Sequence, residues 1–155
     1  MIFEVTNSLG EKLRLQPKVG LYSVWDFMGT ELPGLAIILD EVDASDRIQE
    51  EYGVLTVSFG EFIGVKDCAY IDTNNMPFAD QFLQYGIAED TGFTKTSGFC
   101  KYPLWHFHES FLQEIGGEYY RQYSEAFKQY MSFSPFGEGA EAEESEGPQM
   151  SGSQM

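Results

Sequence analysis

Basic residues are scarce: the 155-residue chain holds 9 Lys and Arg against 25 Asp and Glu, a formal net charge of −16. Proteins that grip nucleic-acid phosphates draw most of their affinity from clustered Lys and Arg. Nine dispersed cations do not build such a surface, so no direct nucleic-acid partner is expected. Cysteine is almost missing as well, with Cys68 and Cys100 alone. Two isolated thiols are read as reduced rather than bridged, in keeping with the cytoplasmic location expected below. No apolar run reaches the roughly 18 residues of a membrane span. The opening MIFEVTNSLGEKLRL carries acidic and polar residues where a secretion leader has basic and then apolar ones. No membrane association and a cytoplasmic location are therefore expected.

Two chemical signatures are also lacking. The Gly60–Gly64 stretch has none of the Lys-Ser/Thr chemistry of a phosphate loop, and the second glycine-rich stretch, GEGAEAEESEG, is anionic. Carboxylates abound, yet no spacing singles out a general acid and base. No catalytic residue and no cofactor is expected.

What the chain has is large apolar surface. Hydrophobic residues make up 43% and aromatic ones 15%, with 13 Phe, 9 Tyr and 2 Trp, enough to close a core. Residues 1–133 are expected to form a single α+β domain. From Ser134 onward Pro, Gly, Ser and Glu dominate without a periodic apolar face, so 134–155 reads as a disordered acidic tail. That tail holds five Glu and no Lys or Arg, which leaves the body with 20 acidic and 9 basic residues, a net of −11. The acidity belongs to the body as well as to the tail. It serves solubility, and it steers basic partners.

Periodicity predicts a small, mainly antiparallel sheet packed against one short helix and a kinked C-terminal helix. Ile2 to Gln16 alternates around the turn Asn7-Ser8-Leu9-Gly10, and Pro17 is expected to stop the second strand. Further strands are predicted at Gly20–Met28, Leu35–Leu39, Tyr52–Phe59, Cys68–Ile71 and Phe99–Phe107. Gly29–Gly34 is read as a turn, Asp40–Glu51 as a charged connection making a hairpin, and Thr91–Gly98 as a loop. Pro103 requires an edge or a bulge. Asn74 or Asn75 is expected to cap a helix carrying Phe78, Phe82, Leu83 and Tyr85. From Glu109 to Met131 the period turns helical, and Gly116-Gly117 predicts a kink. Tyr119, Tyr120, Tyr123, Phe127, Tyr130 and Met131 form an aromatic face that either packs on the sheet or meets a partner.

Two clusters supply the candidate interaction residues. Asp72-Thr73-Asn74-Asn75 combines a carboxylate, a hydroxyl and amides suited to a ligand, and equally suited to turns and caps. Asp72, Asn74 and Asn75 are its candidates. Ser97 to His108 contributes Cys100, Tyr102 and Trp105, and the aromatic face adds Tyr123 and Tyr130. Cys100 with His106 or His108, oriented by Asp72, has the residue types of a nucleophile–base system, but no strained nucleophile turn accompanies them. Cys68, Cys100, His106 and His108 match zinc in kind, but the 31-residue separation of the cysteines lacks the close pairing of zinc motifs, so no metal is expected.

Together the phrases Gly53–Phe59, Cys68-Ala69-Tyr70-Ile71-Asp72-Thr73-Asn74-Asn75, Phe82–Gly92 and Ser97-Gly98-Phe99-Cys100-Lys101-Tyr102-Pro103-Leu104 resemble an uncharacterised family of small proteins from conjugative and plasmid-like elements of gut bacteria. The resemblance covers about residues 35–107 and implies mobile-element biology and proximity of the DTNN and SGFC segments. It carries no activity.

These features favour a non-enzymatic acidic interaction protein, a mobile-element accessory factor binding a basic host or element protein, with duplex-DNA mimicry as its narrower form. A protein partner is expected, with the chain itself a monomer or weak homodimer. The alternative is a small ligand-binding or hydrolytic domain around Asp72 and Cys100, which requires a concave pocket where those side chains converge.

Overall fold

The computed structural model describes residues 1–133, so the expectation of a disordered tail lies outside the described residues. The fold is α+β, with antiparallel strands packed against a short helix and a longer C-terminal one. The strands divide into two four-stranded sheets. Sheet A joins β1 (Phe3–Thr6), β2 (Lys12–Trp25), β3 (Glu31–Val42) and β4 (Ile48–Val54) in that order. Sheet B joins β5 (Thr56–Val57), β6 (Cys68–Ile71), β8 (Cys100–Phe107) and β7 (Ala88–Ser97), in the order β5-β6-β8-β7. The helices are α1 (Asp80–Leu83) and α2 (Glu109–Phe133).

Sheet A is a meander whose three turns use one device. Asn7, Asp26 and Asp43 each accept backbone N–H groups two and four residues ahead through Oδ1. In each turn the residue three ahead is left-handed: Gly10 at φ 82°, Gly29 at φ 83° and Asp46 at φ 64°. A short side-chain acceptor followed by a residue tolerating positive φ is the chemistry such turns require. The turn expected at Gly29–Gly34 is therefore tighter, at Asp26–Thr30, and Gly34 lies within β3. The charged connection Asp40–Glu51 is also mostly strand, with its turn confined to Asp43–Arg47.

Pro17 does not stop β2, which runs on to Trp25. β1 pairs with β2 only as far as Leu15, so at Pro17 the strand has a neighbour on one side alone and the missing N–H breaks no ladder on the other. Pro103 uses the same solution. The β6 ladder ends at Tyr70 opposite Leu104, and β7 carries a register shift between Asp90 and Thr94 where it meets Pro103. The predicted loop at Thr91–Gly98 is mainly the outer, exposed part of β7; its threonines and glycine serve an edge strand with a bulge.

The chain crosses from sheet A to sheet B at Leu55. Its N–H donates to Ile37 O at 2.8 Å, and its carbonyl accepts the N–H of Asp72 at 2.8 Å. The core gathers Val5, Leu15 and Ile37 from sheet A, Ile71, Trp105 and Phe107 from sheet B, Phe82 from α1, and Leu112, Tyr120 and Tyr123 from α2. Asn74 and Asn75 do not cap α1: the helix begins after Ala79 without a side-chain cap. The kink expected in α2 is present at Gly117, at φ 53° and ψ −139°, a conformation open essentially to glycine alone.

Candidate functional site

The Asp72 and Cys100 segments run towards each other, with Tyr102 near Asp72. Antiparallel pairing of β6 with β8 sets Tyr70 opposite Leu104, which carries the following residues of the one strand towards the preceding residues of the other. Tyr102 is held above the ordinary phenol range, first by the neighbouring Cys100 side chain, then by burial and by the nearby Asp72 carboxylate. Tyr22 is likewise raised, chiefly by burial, with Asp72 adding to the effect. Its hydroxyl donates to Thr56 O at 3.1 Å. Asp72, Tyr102, Cys100 and Tyr22 thus share one neighbourhood.

The Asp72 carboxylate has local partners already. Its Oδ1 accepts the backbone N–H of Asn75 at 3.3 Å and its Oδ2 accepts Asn75 Nδ2 at 2.8 Å. The cluster closes a turn before α1, and Asn74 stays exposed. The histidines lie elsewhere. His106 stands opposite Cys68 on β6, and six residues of extended strand, roughly 20 Å, separate it from Cys100. Cys100 therefore has neither imidazole as a base, and the four soft ligands do not meet. Both cysteines are free. Among the described residues no group of three or more His, Cys, Asp or Glu side chains is placed to hold a metal.

Two further candidates sit inside the fold rather than on its surface. Trp105 is 0% exposed, and its indole Nε1 has no hydrogen-bond partner. The reason is strand parity: Trp105 and Phe107 point to the same side of β8, into the core. Tyr123 is 4% exposed and packs on Tyr120 and Phe127. Tyr130 is half-buried against Phe62, ring centroids 4.7 Å apart, and its hydroxyl donates to Asp26 Oδ2 at 2.7 Å. The aromatic face of α2 is thus largely spent on packing.

The sequence reading missed a buried polar network around Asp67. This residue is left-handed at φ 69° and 5% exposed. Its Oδ1 accepts from Tyr120 Oη at 2.9 Å and from Lys66 Nζ at 3.3 Å, and Lys66 Nζ also donates to Tyr120 Oη at 2.9 Å. Its backbone N–H donates to Tyr123 Oη at 2.9 Å. Glu109 lies 3.9 Å from Lys66. Burial and the Asp67 charge drive both phenols well above their ordinary range, and burial lifts the neighbouring Cys68 thiol to about 11. Hydroxyls held so firmly protonated act as fixed donors and acceptors, not as acids or bases near neutrality. The network locks α2 to the segment before β6. Only the spacing of Tyr120 and Tyr123 along one helix face hinted at it; Lys66-Asp67 has no signature.

Beside this network a small cleft of about 30 Å³ runs between the sheets, lined mainly by Tyr22, Leu35, Phe59, Phe62, Cys68 and Tyr70. Asp72, Cys100 and Tyr102 do not line it, so the concave pocket required by a ligand-binding reading does not form around them there.

Residues 30–129 match the family described as a domain of unknown function, DUF4313. The match spans well over half of the chain, and the chain belongs to that family. No curated protein and no solved structure matches it. No helix among the described residues is long and apolar enough to cross a membrane.

Proposed function

We propose that this chain is a non-enzymatic acidic interaction protein that binds a basic protein partner, as an accessory factor of a mobile element. The observation that carries the reading is how its charges are distributed. Six of the nine cations, Arg14, Lys18, Arg47, Lys66, Lys95 and Arg121, are already ion-paired with carboxylates of the same chain. The surplus carboxylates are left to set the outward field. On the edge of sheet A Glu41 and Glu50 also oppose one another across β3 and β4. Like charges directly opposite are unfavourable in a free sheet, and a cationic partner relieves them. Such a field speeds encounter and sets specificity more than it adds raw affinity. The mobile-element setting rests on the resemblance over residues 35–107.

The test is capture on immobilised full-length protein at low and at high salt, beside a polyglutamate peptide matched for charge. A defined basic protein retained by the chain and not by the peptide, and released by salt, is the expected result. Identical retention on both supports sinks the proposal. Duplex mimicry adds a requirement: the captured protein is a DNA-binding enzyme whose activity falls at saturating chain. Unchanged activity removes that narrower form.

A further inference from the structure

We infer that the β2–β3 turn and the C-terminal end of α2 form a docking face for a basic amphipathic segment of a partner protein. Trp25, Phe27 and Met28 are 46%, 89% and 77% exposed on consecutive positions of one tight turn, with Asp26 among them. Large apolar side chains at a turn tip gain nothing from the fold. Aromatics and Met are, however, the residue types that anchor interfaces.

Their presentation is rigid. Asp26 Oδ1 ties the backbone of Met28 and Thr30, and Tyr130 Oη holds Asp26 Oδ2. Trp25 bonds through its N–H to Gly60 O and through its carbonyl to the N–H of Phe62, both at 2.9 Å. Phe133, three residues beyond Tyr130 on α2, is 84% exposed. A preorganised patch loses little ordering entropy when it binds.

Charge selects the occupant. Asp26 lies in the turn and Glu31 stands across the ladder from Trp25, while Glu61, bridged to Trp25, is offset by Lys95 at 2.8 Å. Residues 134–155 hold five Glu and no Lys or Arg. A second copy of the chain, the chain's own acidic terminus and an anionic membrane surface all meet this rim with like charge. A segment carrying Lys or Arg beside leucine-type side chains satisfies both apolar centre and acidic rim. The inference rests on the basic-partner reading and locates where that partner sits.

The experiment titrates the full-length chain with a synthetic amphipathic lysine–leucine peptide and with a lysine–serine peptide of equal length and charge. The lysine–leucine peptide is expected to bind about tenfold more tightly and to shift Trp25 emission to the blue. The double variant Phe27→Ser, Met28→Ser is expected to reduce that affinity to the lysine–serine level, whereas Ile48→Ser, at the far end of sheet A, leaves it unchanged. Equal binding of both peptides, or an Ile48→Ser loss as large as that of the double variant, overturns the docking face while charge attraction survives. Binding of neither overturns both readings. Self-association of the chain that the double variant abolishes, without any peptide effect, overturns it in favour of a second copy.

Discussion

The hydroxyl of Tyr123 accepts the backbone N–H of Asp67 at 2.9 Å, joining the buried face of α2 to a left-handed residue just before β6. Tyr120 makes the companion bond to the Asp67 carboxylate. Two phenols one turn apart thus satisfy the N–H and the charge of one buried aspartate.

Tyr123→Phe leaves that N–H without a partner inside the core. The expected loss is about 1–3 kcal/mol, seen as a lower urea midpoint with an unchanged slope. Asp67→Ala strips the partner from Lys66 and Tyr120 together and is expected to cost about 3 kcal/mol. A Tyr123→Phe protein as stable as the parent refutes the clamp.

Gly117 and Gly116 are expected to fail differently when changed to Ala. At Gly117 a side chain is strained by the backbone alone, at about 1–3 kcal/mol. At Gly116 a Cβ collides with the Tyr120 side chain and pushes that phenol off Asp67. Both variants should melt earlier, but only Gly116→Ala should alter the near-ultraviolet circular dichroism of the tyrosines.

The thiols are expected to separate under labelling. Cys68 is 4% exposed and its pKa is lifted to about 11, whereas Cys100 is half-buried. A thiol reagent at mildly alkaline pH should modify Cys100 and leave Cys68 untouched until the protein unfolds. The linkage has a definite sign. A thiol whose folded value is raised favours the folded state below its ordinary value of 9.0, and that contribution is lost as pH rises from there towards 11. The urea midpoint should therefore fall between pH 9 and 11, with the raised Tyr120 and Tyr123 deepening the loss at still higher pH.

Asp26 carries the opposite sign. The Tyr130 hydroxyl first, then the backbone N–H groups of Thr30 and Met28, hold its carboxyl below the ordinary 3.8. Its contribution is present above that value and disappears as pH falls through the lowered one. Tyr130→Phe should lower the urea midpoint at neutral pH, and the gap from the parent should close in acid. A gap that persists undiminished at low pH assigns the effect to packing on Phe62 instead.

Local chemistry made much of this fold legible. The kink at Gly116-Gly117, the short Cys68–Ile71 strand and the turn at Asn7–Gly10 each follow from residues whose preferences act over one or two neighbours. The three turns of sheet A show the limit. Asn7 and Asp26 are each followed at the third place by glycine, but Asp43 is followed there by Asp46, whose positive φ no composition rule announces. Pro17 misled for a related reason. Whether a missing N–H interrupts a sheet depends on how far the adjacent strand extends, and β1 stops short of it.

The candidate residues divide along the same line. The sequence by itself determined that the chain is acidic through its body and short of cations, while the nearness of the Asp72 and Cys100 segments entered only through the family resemblance. Only the tertiary structure decided that Trp105 and Tyr123 are core, that His106 faces Cys68 rather than Cys100, and that Lys66 and Asp67 pair beneath two tyrosines. Burial and register are properties of what lies across the sheet or under the helix. Residues 38 to 56 positions apart bring those surroundings together, and no short window of sequence contains them.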